Sequence, residues 1–343
     1  MRKLIFLLIV LSFAIGLYSF NNIPKYLPSI SAYGLFEGDL KDLNPGEKLI
    51  PYSLNAPLFS DYAHKERFIY IPKGQKVQYQ NEQVLDFPVG TLIFKNFFYY
   101  NDERKPEKGR RILETRVLKR EENEWVAIPY IWDEEQQDAY LDVAGATIPV
   151  KFKNNKGKSL SLDYEVPNMN QCKGCHERDG EIVPIGPSAR ELNGDFTYST
   201  GKENQLNHWT KIGYLIGVPD DLSKEDYLVS YSDESQSLDD RVRAYLDINC
   251  GHCHNPSGPA RNSGLFLSWN YFKQDAYGMM KAPVAAGKGS GNLQYDIVPG
   301  KPEESILYYR MNSTDPGIMM PELGRKLNHE EGLKLVQSWI HSL

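Results

Sequence analysis

The sequence predicts an α+β chain of several domains: a β-rich N-terminal sandwich or barrel, followed by two mostly α-helical segments. Three observations carry that expectation. Residues 21–165 read as short apolar and aromatic runs separated by turn residues. Beyond residue 165 the texture changes, and two copies of one five-residue pattern appear, Cys172-Lys173-Gly174-Cys175-His176 and Cys250-Gly251-His252-Cys253-His254. Helix-start signals then flank the second copy. A length of 343 residues accommodates two or three domains, and 41% hydrophobic with 24% charged residues is a globular balance.

Taken in order, residues 1–20 carry Arg2 and Lys3 and then the apolar run Leu4 to Leu11, the layout of an export signal. Cleavage after Ser12-Phe13-Ala14 or Leu17-Tyr18-Ser19 and retention as an N-terminal anchor both remain open, and cleavage would take the net charge from −6 to −8. Residues 21–165 form the β-rich domain. Arg67 to Ile71 runs into Pro72-Lys73-Gly74, and Thr91 to Tyr100 ends in the charged stretch from Asn101 to Arg110, which reads as a solvated turn. Ile112 to Leu118 and Trp125 to Tyr130 flank Glu121-Glu122-Asn123 as a hairpin. Residues 166–230 form the first motif segment and residues 231–343 the second. Ser237 with Asp240 is a capping-box pattern, opening a helix with Leu238, Val242, Tyr245 and Leu246 on one face and Cys250 at its end. Pro302 to Met311 predicts a short helix. Asn328 with Glu331 is expected to cap a last helix whose face is Leu333, Val336, Ile340 and Leu343.

The motifs carry the chemistry. Cys-x-x-Cys-His is the attachment signature of c-type haem: two thiols reach the two vinyl groups on one porphyrin edge, and the adjacent histidine becomes the proximal iron ligand. The two copies use all 4 cysteines of the chain, so none is left for structural bridges. A zinc knuckle, redox dithiol or disulfide is the competing use of such a pair. The cofactor-binding residues are therefore Cys172, Cys175, His176, Cys250, Cys253 and His254, holding two covalently bound haems, with His176 and His254 as iron ligands. His252 is a spacer within its motif.

For the second haem, Met320 in Ile318-Met319-Met320-Pro321 is the expected distal ligand, because a thioether before the terminal helix suits a cytochrome c-like arrangement. Met319, Met279, Met280 and Met311 are the alternatives, and packing in the core is the ordinary fate of such residues. For the first haem, His208 lies 32 residues after His176 and is the candidate ligand, with Met169 or no protein ligand as alternatives. His64 reads as a surface histidine. Arg178, Arg190, Arg261 and Arg325 lie near the motifs as candidate partners of haem propionates. Gly287-Lys288-Gly289-Ser290-Gly291 lacks the order of a phosphate loop and reads as a plain loop. Dispersed basic residues give no nucleic-acid footprint.

Together with Ala56-Pro57-Leu58-Phe59-Ser60-Asp61-Tyr62-Ala63, Phe87-Pro88-Val89-Gly90-Thr91 and Val166-Pro167-Asn168-Met169-Asn170-Gln171-Cys172, the two motifs make the chain resemble an uncharacterised family of bacterial di-haem c-type cytochromes. In that family a β-rich N-terminal part precedes two haem segments. The resemblance covers nearly all of the chain after the signal. It implies a periplasmic electron-transfer protein with redox protein partners, since bacterial c-type haem is attached outside the cytoplasmic membrane. Membrane contact would come only through an uncleaved N-terminal anchor. An oxidoreductase acting on peroxide or a small substrate at an open first haem is the alternative, so whether the chain is an enzyme stays undecided at this stage.

Overall fold

The period-two runs of the N-terminal half pair, in chain order, into one antiparallel meander. Its strands are β1 (Leu49–Tyr52), β2 (His64–Tyr70), β3 (Leu92–Tyr100), β4 (Arg110–Arg120), β5 (Trp125–Trp132) and β6 (Ala139–Leu141). They belong to a computed structural model that describes residues 25–271, 277–284 and 286–343; the expected signal segment lies outside the described residues. β1 and β6 form the two margins, so the sheet is open and, of the expected sandwich or barrel, the barrel is not formed. The β4–β5 hairpin is as predicted, with Arg120 opposite Trp125.

Alternation sends the two sides of this sheet into different cores. Leu49, Phe68, Phe94, Val117 and Ile128 face one way and are covered by Ile30, Leu35 and Leu43 from the preceding segment. Ile50, Ile69, Ile93 and Trp125 face the other way and share a core with Leu192, Leu206, Trp209, Leu228 and Ile248. The sheet and the first motif segment are thus joined through one apolar core. A second hairpin, β7 (Ala146–Lys153) with β8 (Ser159–Val166), packs Val150, Phe152, Leu162 and Tyr164 against Phe97, Tyr99 and Leu113.

The expectation of two mostly α-helical haem segments is overturned. Strand accounts for 28% and helix for 24%, and the helices are six short ones among the described residues. They are α1 (Lys173–His176), α2 (Ala189–Leu192), α3 (Gln205–Lys211), α4 (Leu238–Leu246), α5 (Ile306–Met311) and α6 (Glu330–Ser342). Local chemistry explains the shortfall. Pro184, Gly186 and Pro187 interrupt any helix after the first motif. Phe196-Thr197-Tyr198 are strand formers before a Ser-Thr-Gly turn, and Asp195–Tyr198 pairs with Gly201–Asn204 as a hairpin.

The second segment is nearer to expectation. Ser237 caps α4, its Oγ accepting the Asp240 N–H at 3.1 Å. The helix then widens into a π turn over Asp247–Gly251 that carries Cys250. The proline-led stretch divides into a 3-10 turn, Pro302–Glu304, and α5. α6 packs Leu333, Val336, Trp339 and Ile340 against Val242, Tyr245 and Leu246. Two details differ: His329 is the N-cap residue, because the Asn328 side-chain oxygen accepts from Arg325 Nη1 at 2.9 Å, and Leu343 is 41% exposed. Among the described residues no helix is long and apolar enough to cross a membrane.

Candidate functional site

Both motifs open onto one cavity of about 800 Å³, within the range of ligand pockets. Its wall includes Cys172, Cys175, His176, Cys250, Cys253 and His254. Each motif is a helical turn closed the same way: the His176 N–H donates to the Cys172 carbonyl at 3.0 Å, and the His254 N–H to the Cys250 carbonyl at 2.8 Å. The two turns touch. The Cys175 and Cys253 sulfurs hydrogen-bond, which holds the Cys175 thiol low and pushes the Cys253 thiol up. The Cys253 thiol also lies 3.6 Å from the Gly174 carbonyl. All four thiols are free.

The histidines are prepared alike. His176 donates Nδ1–H to the Val183 carbonyl at 2.8 Å, and His254 donates Nδ1–H to the Leu265 carbonyl at 3.2 Å. A carbonyl only accepts, so Nδ1 carries the proton and Nε2 keeps its lone pair in the neutral ring. Burial pushes each imidazole down to about 4, so both rings are neutral at pH 7. A neutral imidazole whose remote nitrogen is anchored by a carbonyl is the usual arrangement of a metal-ligating histidine.

The remaining candidates divide sharply. Met320 lines the cavity, whereas Met319 is 5% exposed and packed in the core. Met279 and Met280 point outward, and Met311 fronts the cavity from α5. The Met320 loop reaches the first motif, since an added Cβ on Gly174 would sit 3.1 Å from Leu323. His208 does not reach the cavity. Its Nδ1 is 2.6 Å from Glu203, and its ring stacks on Tyr198 with centroids 3.5 Å apart. Met169 packs against the far core of the sheet, and His64 bonds Glu103 at 2.8 Å. Of the four arginines, Arg325 alone lines the cavity, and its Nη groups are spent on carbonyls of Leu327, Arg310, Ser313 and Met320 and on Asn328. His252 also fronts the cavity, and it hydrogen-bonds Cys175.

The segment Asn55 to Lys65 straps these parts together. Ala56 N–H donates to Glu191, Phe59 N–H to Asn249 at 2.8 Å, and the Asp61 carboxylate accepts the Lys326 and Leu327 N–H groups at 2.7 Å. Asp61 and Tyr62 both take positive φ, at +51° and +64°. Such backbone persists only where its surroundings hold it.

Three cavity residues escaped the sequence reading: Arg67, Lys95 and Arg116, which the register sets side by side on β2, β3 and β4. The available signal was a charge, Lys95, inside the apolar run Leu92 to Tyr100. His329 also fronts the cavity, stacked on Phe59 with centroids 4.2 Å apart.

The donor set suits covalently bound haem: paired thiols, neutral imidazoles and a thioether around one cavity. Among the described residues no three His, Cys, Asp or Glu side chains converge as a metal-ion site. Compared with known protein families, curated proteins and solved structures, the chain matches none.

Proposed function

We propose that the chain is a di-haem c-type cytochrome that passes single electrons between protein partners outside the cytoplasmic membrane. The observation that carries this reading is the matched preparation of His176 and His254, both neutral, both anchored at Nδ1 and both opening on the same cavity. Cys172, Cys175 and His176 would hold one haem; Cys250, Cys253 and His254 would hold the other, with Met320 as its distal donor. Bound iron would supply the one-electron chemistry, tuned by axial ligand and burial.

The chain's own groups do the positioning. The Val183 and Leu265 carbonyls fix the tautomer and raise the basicity of the two imidazoles. Contact between Cys175 and Cys253 keeps the two sites close enough for rapid electron exchange within one molecule. The loop from Gly317 to Arg325 lines the cavity that both motifs share. An absorption spectrum of the exported protein with a Soret peak, and a pyridine haemochrome typical of two thioether links per haem, is the expected result. Absence of both would overturn the reading.

The oxidoreductase alternative draws support from one observation: His208 lies away from the cavity, so the first site lacks its expected distal donor. A resting EPR spectrum separates the two. Two low-spin signals support the carrier; one high-spin signal, shifted by peroxide, supports catalysis at the first site.

A further inference from the structure

The cavity-facing side of the sheet carries an arrangement that costs free energy unless something neutralises it. Arg67 lies directly opposite Lys95, and Lys95 directly opposite Arg116, so three cations form a row across three adjacent strands. Like charges at opposed positions destabilise a sheet. Lys65 adds a fourth cation two residues from Arg67 on the same side of β2. The charges converge: Lys65, Lys95 and Arg116 lie 5.9, 4.9 and 4.4 Å from the centre of the Phe97 ring.

The protein neutralises one of them. Arg116 is paired with Glu114, Nε to Oε2 at 2.7 Å, and Tyr164 donates its hydroxyl to the same carboxylate at 2.6 Å. Among the described residues no carboxylate lies within ion-pair distance of Lys65, Arg67 or Lys95. Arg67 is 7% exposed, and its Nη2 is buried with no hydrogen-bond partner. Glu191, whose field reaches Arg67, is held mostly protonated at pH 7, since burial pushes its carboxyl up to about 8. Burial and the neighbouring cations hold both lysines well below their ordinary range. An unpaired charge as buried as Arg67 is rare because it is costly; Lys65 and Lys95 are half-buried, and Lys65 Nζ donates to the Leu58 carbonyl at 2.9 Å.

We propose that Arg67, Lys95 and Arg116 form an anion-binding site on the cavity wall, built for a carboxylate or oxyanion group of at least two negative charges. The forked Arg67 guanidinium supplies the bidentate contact and Lys95 the point charge. Two sources present this chemistry: the two propionates of a haem held by either motif, or a free oxyanion entering beside the first motif. The first source rests on the di-haem reading; the unpaired charge on Arg67 is independent of it.

The test uses the full exported protein, Arg67→Gln, Lys95→Gln and the charge-retaining Lys95→Arg. If a free oxyanion is the ligand, inorganic phosphate raises the wild-type melting temperature by at least about 2 °C. The rise then vanishes in both Gln variants and returns in Lys95→Arg. If propionates are the ligand, phosphate has no effect; the reduction potential of one haem falls in both Gln variants as the positive charge is removed, and Lys95→Arg restores it. Either pattern supports the site. No phosphate effect together with unchanged potentials overturns it. Should wild type carry no haem, the di-haem reading fails and the phosphate arm alone decides the anion site. Should the Gln variants fail to fold, Lys95→Met removes the same charge and decides: loss of the phosphate shift or a fall in one haem potential supports the site, and neither change overturns it.

Discussion

Two identical five-residue signatures, 78 residues apart, sit in opposite surroundings. The first hangs from the end of β8 and faces a charged sheet wall of Arg67, Lys95 and Arg116. The second hangs from α4 and its π turn, beside Leu265, Leu267, Leu307 and Leu333, with Arg310 and Arg325 close enough for their charges to reach His254 and Cys250. The signature sets how a haem would be attached; the wall opposite sets what each iron would do. A cation-rich wall with an unpartnered Arg67 would make the first site sensitive to nearby charge, and a more apolar wall with a thioether would make the second depend on ligand identity and exclusion of water.

The comparison breaks most visibly at Met320. Replacing Met320 by alanine should abolish the methionine-to-iron charge-transfer band and lower one of the two reduction potentials, leaving the other site as it was. An unchanged band would remove the thioether from the account. Glycines inside the two motifs give a matched pair of smaller effects. An added Cβ at Gly251 would lie 2.8 Å from Ser268 Cα, so Gly251→Ala must move backbone and is expected to cost about 1–3 kcal/mol by denaturant unfolding. The same change at Gly174 meets only the end of the Leu323 side chain, and should cost less than about 1 kcal/mol. Equal costs would mean that the two turns are held alike.

A pH-dependent effect concerns the strap shared by both sites. Glu191, buried beside Ala56, binds its proton more tightly in the fold, at about 8, than in the unfolded chain, at about 4.5. Stability is therefore fully present below about pH 4.5 for this group and is lost progressively as pH rises through 8. Glu191→Gln should flatten that part of the stability–pH curve, seen as a loss of slope between pH 5 and 8 in thermal melts. A slope as steep as wild type would place the proton elsewhere.

Local chemistry was legible in the sequence, and long-range pairing was not. The two thiol-histidine motifs, the Ser237 cap and the β4–β5 hairpin each depend on residues within a few positions of one another. Whether the meander would close depends on margins far apart in the chain, from Leu49 to Leu141. The Arg67–Lys95–Arg116 row exists only once three strands are aligned, since a one-residue slip would turn Lys95 to the other face. His208 showed the reverse failure: its spacing from His176 was suitable, but Glu203 five residues earlier satisfies it locally. The segment Ala56 to Ala63 could be recognised without being explained, because its partners Glu191, Asn249 and Leu327 lie far along the chain.

The most direct test of the central claim is the intact mass of the exported chain beside Cys172→Ser/Cys175→Ser and Cys250→Ser/Cys253→Ser. The account predicts two covalently added porphyrins in wild type and one in each variant, with the methionine-to-iron band surviving only when the second motif is intact. A wild-type mass equal to that of the polypeptide alone would contradict it.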